Sequence, residues 1–278
     1  MDSSPAPREP IFNAPLTTLA LAALLLAIHA IREWLLADGT NFRMVFDWGF
    51  IPARLPFLWA PEATADELRQ LVDSARQTPA GGVTWLNGRL ADELLHDGTA
   101  HPATIITHAG LHGGWAHVII NSLWLVAFGG AVDRRFGPIR YLLLGVISAI
   151  GGALAHMLFD PESLLPLIGA SGVVSGYTGA MARFAFATGG PLGRWRAPGD
   201  DAFLYPAPPL GEFFRNQRAL TFVALWFALN FLPSLASGAF GVGEEQIAWM
   251  AHIGGFAAGF FAFGLLDPVG RLPRATLH

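Results

Sequence analysis

The chain has 278 residues, of which 53% are hydrophobic and only 14% charged. Soluble domains carry about 25% charged residues, so the composition excludes an ordinary soluble protein and points to lipid as the main solvent. A formal charge of −4 gives no footing for a nucleic-acid partner, and the absence of cysteine excludes disulfides, thiolate metal sites and a cysteine nucleophile.

At roughly 20 residues per crossing, the length accommodates six spans and one sizeable loop. The predicted fold is all-α, a polytopic membrane bundle of six transmembrane helices. Residues 1–13 form a proline-rich tail with a single Arg8 and are expected to be disordered. Residues 14–266 form one membrane domain, and 267–278 a second tail.

Span 1 is predicted over Ala14–Ile31. It is too long for a signal-peptide core and ends in Arg32-Glu33-Trp34 without a small-residue cleavage site, so it is read as retained. Residues 38–103 are the one long polar region, with five arginines, nine acidic residues and breakers such as Pro52, Pro56, Pro79 and Gly81. Within it Thr64-Ala65-Asp66-Glu67 reads as a capping box, opening a short helix with an apolar stripe of Leu68, Leu71, Val72 and Ala75. A surface helix resting on the membrane is expected there, without catalytic groups.

Five further spans are predicted at Thr104–Phe128, Ile139–Phe159, Leu167–Ala187, Ala219–Leu235 and Gln246–Leu266. The chain has no lysine, so arginine sets the orientation. Arg134, Arg135 and Arg140 follow span 2; Arg183, Arg194, Arg196, Arg215 and Arg218 follow span 4; Arg271 and Arg274 follow span 6. The loops after spans 3 and 5 hold Asp160, Glu162, Glu244 and Glu245 instead. Both termini are therefore expected in the cytoplasm, with the long first loop outside.

That topology brings spans 2, 4 and 6 in from the external side. Each carries polar residues in its first turns: His108, His112, His117 and Asn121 on span 2, Ser171 and Ser175 on span 4, and His252 on span 6. At about 1.5 Å per residue they lie roughly 5 to 25 Å below the outer surface, where one wet cavity holds them.

On span 6, Ala248, His252, Gly255, Gly259 and Ala262 recur at steps of four and three. Ser171, Ser175, Thr178 and Ala182 do so on span 4, with Gly172, Gly176 and Gly179 alongside. Small residues at this spacing allow close helix approach in membranes, which brings a hydroxyl and an imidazole together. Ser171 is then the candidate nucleophile and His252 its general base. No acidic residue lies at comparable depth in any span, so the reading is a dyad rather than a triad. Oxyanion donors are available from the unpaired N–H groups at the start of span 4, and from His117 and Asn121 on one face of span 2.

Three stretches resemble the signatures of the rhomboid family of intramembrane serine proteases. They are His112-Gly113-Gly114-Trp115-Ala116-His117-Val118-Ile119-Ile120-Asn121, Gly169-Ala170-Ser171-Gly172, and Ala251-His252-Ile253-Gly254-Gly255 with Gly259. Order and intervals match from roughly Thr104 to Leu266. The resemblance implies Ser171 as nucleophile, His252 as base, His117 and Asn121 at the oxyanion, and Gly169 in the serine motif. It also implies structural roles for His108 and His112. The implied substrate is a membrane-anchored helix that unwinds near a small residue, and the implied location is a bacterial inner membrane. Two departures stand out. The family's Trp-Arg pair before span 2 is replaced by His101-Pro102-Ala103-Thr104, and Ser175 occupies a position where some members stack an aromatic ring on the catalytic histidine.

The bland alternatives are weighed beside this. An isolated membrane serine among glycines is ordinarily a packing residue, and lone His29 and His156 read as structural. His108, His112 and His117 invite a metal, but the step of five turns His117 away and no carboxylate is near, so neither metal nor cofactor is expected. A Gly-x-Ser-x-Gly elbow fails at Val173 and a Ser-x-x-Lys motif at Val174. The remaining alternatives are a catalytically inactive relative that binds client transmembrane helices, and a small transporter, for which no repeated halves are found. The partners expected are single-span membrane proteins and the bilayer.

Overall fold

The computed structural model describes residues 14–239 and 248–269. The tail over 1–13, the pair Glu244 and Glu245, the start of the last span at Gln246, the Ala248 side chain, and Arg271 and Arg274 lie outside that description.

Three described helical stretches are long and apolar enough to cross a membrane: Leu16–Leu35, Trp115–Phe159 and Trp249–Leu266. The first is α1, Leu16–Leu35. The second comprises α6, Trp115–Trp124, a π-helical turn at Leu125–Gly129, and α7, Gly130–Phe159. It is two helices rather than one, because Gly137 sits at φ 72°, ψ 167° and Pro138 follows. That conformation is open to glycine, and proline suits the first turn of the helix that resumes. The corner falls where the sequence separates spans 2 and 3. The remaining membrane-domain helices are α8, Ser171–Ala185, α10, Gln217–Ala239, and α11, Ala248–Leu266, with a short α9 at Leu210–Phe213.

The predicted starts of two spans move. Thr104–Thr107 is an isolated helical turn, α5, followed by a 3-10 turn at His108–Gly110, and the long helix begins only at Trp115. Gly113 and Gly114 interrupt the pattern, and Gly114 is almost fully extended at φ 175°, ψ 169°. Likewise Leu167 is not helical. It exchanges backbone hydrogen bonds with Phe50 at 3.1 and 2.8 Å, so the fourth helix starts at Ser171.

Glycine sets the spacing of α7, α8 and α11. A Cβ on Gly255 would overlap the carbonyl oxygen of Gly172, and one on Gly259 the carbonyl oxygen of Gly176. Gly151 meets Gly254 and Ala258, and Gly152 lies against the Ala251 backbone. Without side chains between them, these backbones reach the close packing that small residues permit in membrane bundles. The pairs Gly172/Gly255 and Gly176/Gly259 advance together, so α8 and α11 run parallel.

The long polar region folds into a small helical unit instead of a lone surface helix. It contains α2, Asp38–Trp48, α3, Pro61–Arg76, and α4, Val83–Asp97. Phe46, Ile51, Leu68, Val72, Leu90, Ala91 and Leu94 share a core with Leu164. The expected capping box does not form. Pro61 starts α3 one turn earlier, and the Thr64 hydroxyl donates to the Ala60 carbonyl at 2.8 Å inside the first turn. Three of the four predicted stripe residues are buried, while Leu71 is 38% exposed.

Arg54 is the hub of this unit. It is fully buried, donates to the Phe46 carbonyl at 2.7 Å, lies 3.2 Å from the Asp97 carboxylate, and approaches His101 Nδ1 at 3.3 Å. Burial lowers the pKa of its guanidinium, and the Asp97 charge opposes that shift.

At the far end of α11 a second buried arginine closes the bundle. Arg135 makes a two-pronged pair with Asp267 at 2.9 and 2.8 Å and donates to the carbonyls of Phe203 and Tyr205. Asp267, which the sequence reading puts first in the C-terminal tail, is therefore packed inside the bundle.

Candidate functional site

Ser171 is the first residue of α8, and the first helical hydrogen bond runs from Val174 N to Ala170 O at 2.9 Å. The N–H groups of Ser171, Gly172 and Val173 thus precede the helical ladder and carry the positive end of its dipole. Gly169 makes the approach possible. Its φ of +125° is a glycine conformation, and its N–H donates to the His108 carbonyl at 3.0 Å. A Cβ there would lie 2.8 Å from His117 Nε2 and 3.7 Å from Ser171 Oγ. The His117 imidazole and the Ser171 hydroxyl therefore flank the same open spot above the Gly169 backbone.

His112 ties the two sides together. Its Nε2 accepts the Ala170 N–H at 3.3 Å, which leaves the proton on Nδ1, and its ring meets that of His117 edge-on with centroids 5.0 Å apart. Helical spacing predicts that His117 is turned away from His112. The structure reverses this, because residues 111–114 are not helical and deliver His112 from outside the helix that carries His117. His108 is 2% exposed, lies 3.0 Å from the Thr104 carbonyl through Nδ1, and supports Gly169 with its own carbonyl.

Asn121 is 4% exposed and donates through Nδ2 to the His117 carbonyl at 3.0 Å. One amide hydrogen is thereby used within α6 and one remains. Ser175 is not aimed at the site; its hydroxyl donates to the Ser171 carbonyl at 2.6 Å.

His252 lies one turn into α11. The parallel glycine register pairs position 172 with 255, which places Ser171 level with Gly254, so His252 is only about 3 Å away along the helix axis. Its Nδ1 is buried without a hydrogen-bond partner among the described residues, and no hydrogen bond joins it to Ser171 in this arrangement. His252 also borders a cavity of about 250 Å³ between α10 and α11, lined by Trp226, Phe227, Asn230, Trp249 and Ile253. The lining is almost wholly apolar. Among the described residues, no cluster of histidine and acidic side chains has a metal-holding arrangement.

The residues that sequence reasoning missed are arginines and aromatics outside the three motifs. Arg32, His29 and Trp34 at the end of α1 all touch the 112–115 link. Their only sequence signal is an arginine and a histidine one turn apart near the end of an apolar helix.

A family model for the rhomboid domain matches residues 99–267. Similar proteins include RHOMBOID-like protein 5 of Arabidopsis thaliana, 28% identical over 63% of this chain and 46% of its own length. Rhomboid protease GluP of Bacillus subtilis is 29% identical over 62% of this chain and 26% of its own length. Rhomboid protease GlpG of Enterobacter sp. is 27% identical over 55% of this chain and 44% of its own length. The chain thus spans less than half the length of each of these relatives.

Proposed function

The chain belongs to the rhomboid family, and from that premise we propose that it is an intramembrane serine endopeptidase using a Ser171/His252 dyad. The observation that carries the reading is the convergence at Gly169. There the start of α8 presents a serine and free N–H groups to an imidazole, at the level where the glycine register sets His252.

In the proposed reaction His252 takes the Ser171 proton as Oγ attacks the scissile carbonyl, then returns it to the departing amine. The developing oxyanion is met by N–H groups at the start of α8, by His117, and by the second amide hydrogen of Asn121. The His252 Nδ1, without a partner among the described residues, supports a dyad, since a third, orienting carboxylate would occupy it.

The bilayer setting follows the same line. α8 has 15 residues, about 22 Å of helix, against a hydrocarbon core of about 30 Å. Its Ser171 end therefore falls below the outer surface, and the non-helical stretch before it makes up the depth. We take the chain to cross six times in a bacterial inner membrane with both termini cytoplasmic. The substrate is a single membrane-spanning helix. Its backbone must unwind before attack, and freed N–H and C=O groups in hydrocarbon need the polar partners this site offers.

The test is cleavage of a single-span reporter in proteoliposomes. Ser171→Ala and His252→Ala should each abolish it at unchanged expression. Cleavage by either variant at a rate comparable to the parent would remove the dyad, and failure of the parent protein to cut any reporter would favour a non-catalytic membrane-helix binder.

A further inference from the structure

Gly113 and Gly114 make the link between His112 and Trp115 a non-helical bend with little stiffness of its own. Yet this link carries His112, which holds the Ala170 N–H beside Ser171, and it leads directly into the helix bearing His117. Something outside the link must fix it.

The outer end of α1 does so. Arg32 is 4% exposed and donates through one terminal nitrogen to the His112 carbonyl at 2.8 Å. Its Nε donates to Asn41 Oδ1 at 3.0 Å, which holds the guanidinium from the other side. One turn earlier, His29 is 1% exposed and meets the Trp115 ring edge-on at 4.8 Å, while Trp34 lies 5.1 Å from that ring. A charged donor, an imidazole and an indole from one helix end thus grip both ends of the diglycine link.

We propose that Arg32 is a positioning residue for the oxyanion side of the site. It holds the His112 carbonyl, so that His112 Nε2 stays on the Ala170 N–H and the His112 ring stays against His117. The proposal rests on the Ser171/His252 reading.

An arginine is required because two acceptors are bound at once. Lysine is a point donor on a flexible stem and reaches the His112 carbonyl without also engaging Asn41 through a planar fork. Arg32→Ala frees the link, and displacement of catalytic groups by about 1 Å can cost on the order of 100-fold in rate. Arg32 is 4% exposed and offers no surface of its own to a substrate helix, so the loss belongs in kcat.

The experiment measures kcat and KM for reporter cleavage in proteoliposomes, with labelling of Ser171 by a serine-directed phosphonate in the same preparations. Only protein that is monodisperse in detergent is assayed. The parent protein should cut the reporter and label on Ser171. Arg32→Ala should lose about 30- to 100-fold in kcat with KM within about threefold, and label correspondingly slowly. Arg32→Lys should recover part of the loss. Asn41→Ala, which leaves Arg32 in place, should fall in kcat by a smaller factor and keeps the test alive where Arg32→Ala does not fold. Arg32→Ala or Asn41→Ala protein that is less heat-stable but keeps the parent kcat and labelling rate would overturn the positioning role while leaving the dyad standing. A parent protein that neither cuts nor labels on Ser171 would instead sink the dyad and this inference with it.

Discussion

Gly255→Ala is the sharpest probe of the packing on which the site depends. A methyl group at 255 would sit 2.8 Å from the carbonyl carbon and 2.9 Å from the Cα of Gly172, as well as overlapping the carbonyl oxygen. These are backbone atoms and cannot swing aside, so α8 and α11 must separate by roughly 1 Å to restore ordinary contact distances. The stability cost of such overpacking is about 1–3 kcal/mol. The same shift moves Ser171, one residue before Gly172, away from His252, and a misplacement of about 1 Å predicts on the order of 100-fold loss in kcat. Gly264→Ala on the same helix meets nothing within 4 Å and is the matched control. Both variants would be reconstituted, and initial rates of reporter cleavage measured at saturating substrate. Gly255→Ala cutting at the parent rate would refute the claim that direct glycine contact between these helices positions the dyad.

Other predictions concern separate parts of the molecule. Asn121→Ala should lower kcat by at least tenfold with a smaller change in KM, since it removes the proposed oxyanion donor as well as the brace on the His117 carbonyl; unchanged steady-state kinetics would remove it from the site. Arg54→Ala should loosen the helical unit of α2, α3 and α4 by about 3 kcal/mol, because it strips the Phe46 carbonyl and the Asp97 carboxylate of their common partner. Limited proteolysis between residues 61 and 97 would read this as faster cutting, and equal protection of parent and variant would count against the hub role. Treatment with a strong chelator should leave cleavage unchanged, and loss of activity restored by added metal would show that the histidine cluster serves a different chemistry.

Much of the helix packing around the candidate site was legible because its small residues are compressed into short motifs. Ser171, His252 and the glycines at 172, 176, 255 and 259 lie on regular helices, so spacing alone predicts which faces meet. The parallel course of α8 and α11 follows from the same pattern. Where the chain leaves the helix, periodicity misleads. His108 and His112 read as members of one helical face with a misaligned His117, whereas Gly113 and Gly114 break that face and fold the His112 ring onto His117. Leu167 reads as part of a span because it is apolar, but its backbone pairs with Phe50.

The helix of α3 was legible in its apolar stripe, but the packing of α2, α3 and α4 into one unit was not, for a different reason. Its core uses scattered residues of α2, α3 and α4 together with Leu164 from a distant loop, and its central residue is a charged one, Arg54. Composition marks that stretch as polar, and the one apolar stripe it shows predicts a surface helix and not a shared core. Arginine counting has a related blind spot. Arg135 and Arg183 enter the orientation argument as charges near span ends, yet both are buried, the first against Asp267 and the second against the Phe260 and Phe263 rings.

Phosphonylation of the reconstituted protein by a serine-directed reagent, followed by peptide mapping, addresses the central assignment most directly. The account predicts a single stoichiometric adduct on Ser171 that His252→Ala fails to form. An adduct on another residue, or one that forms equally well without the His252 imidazole, would contradict it.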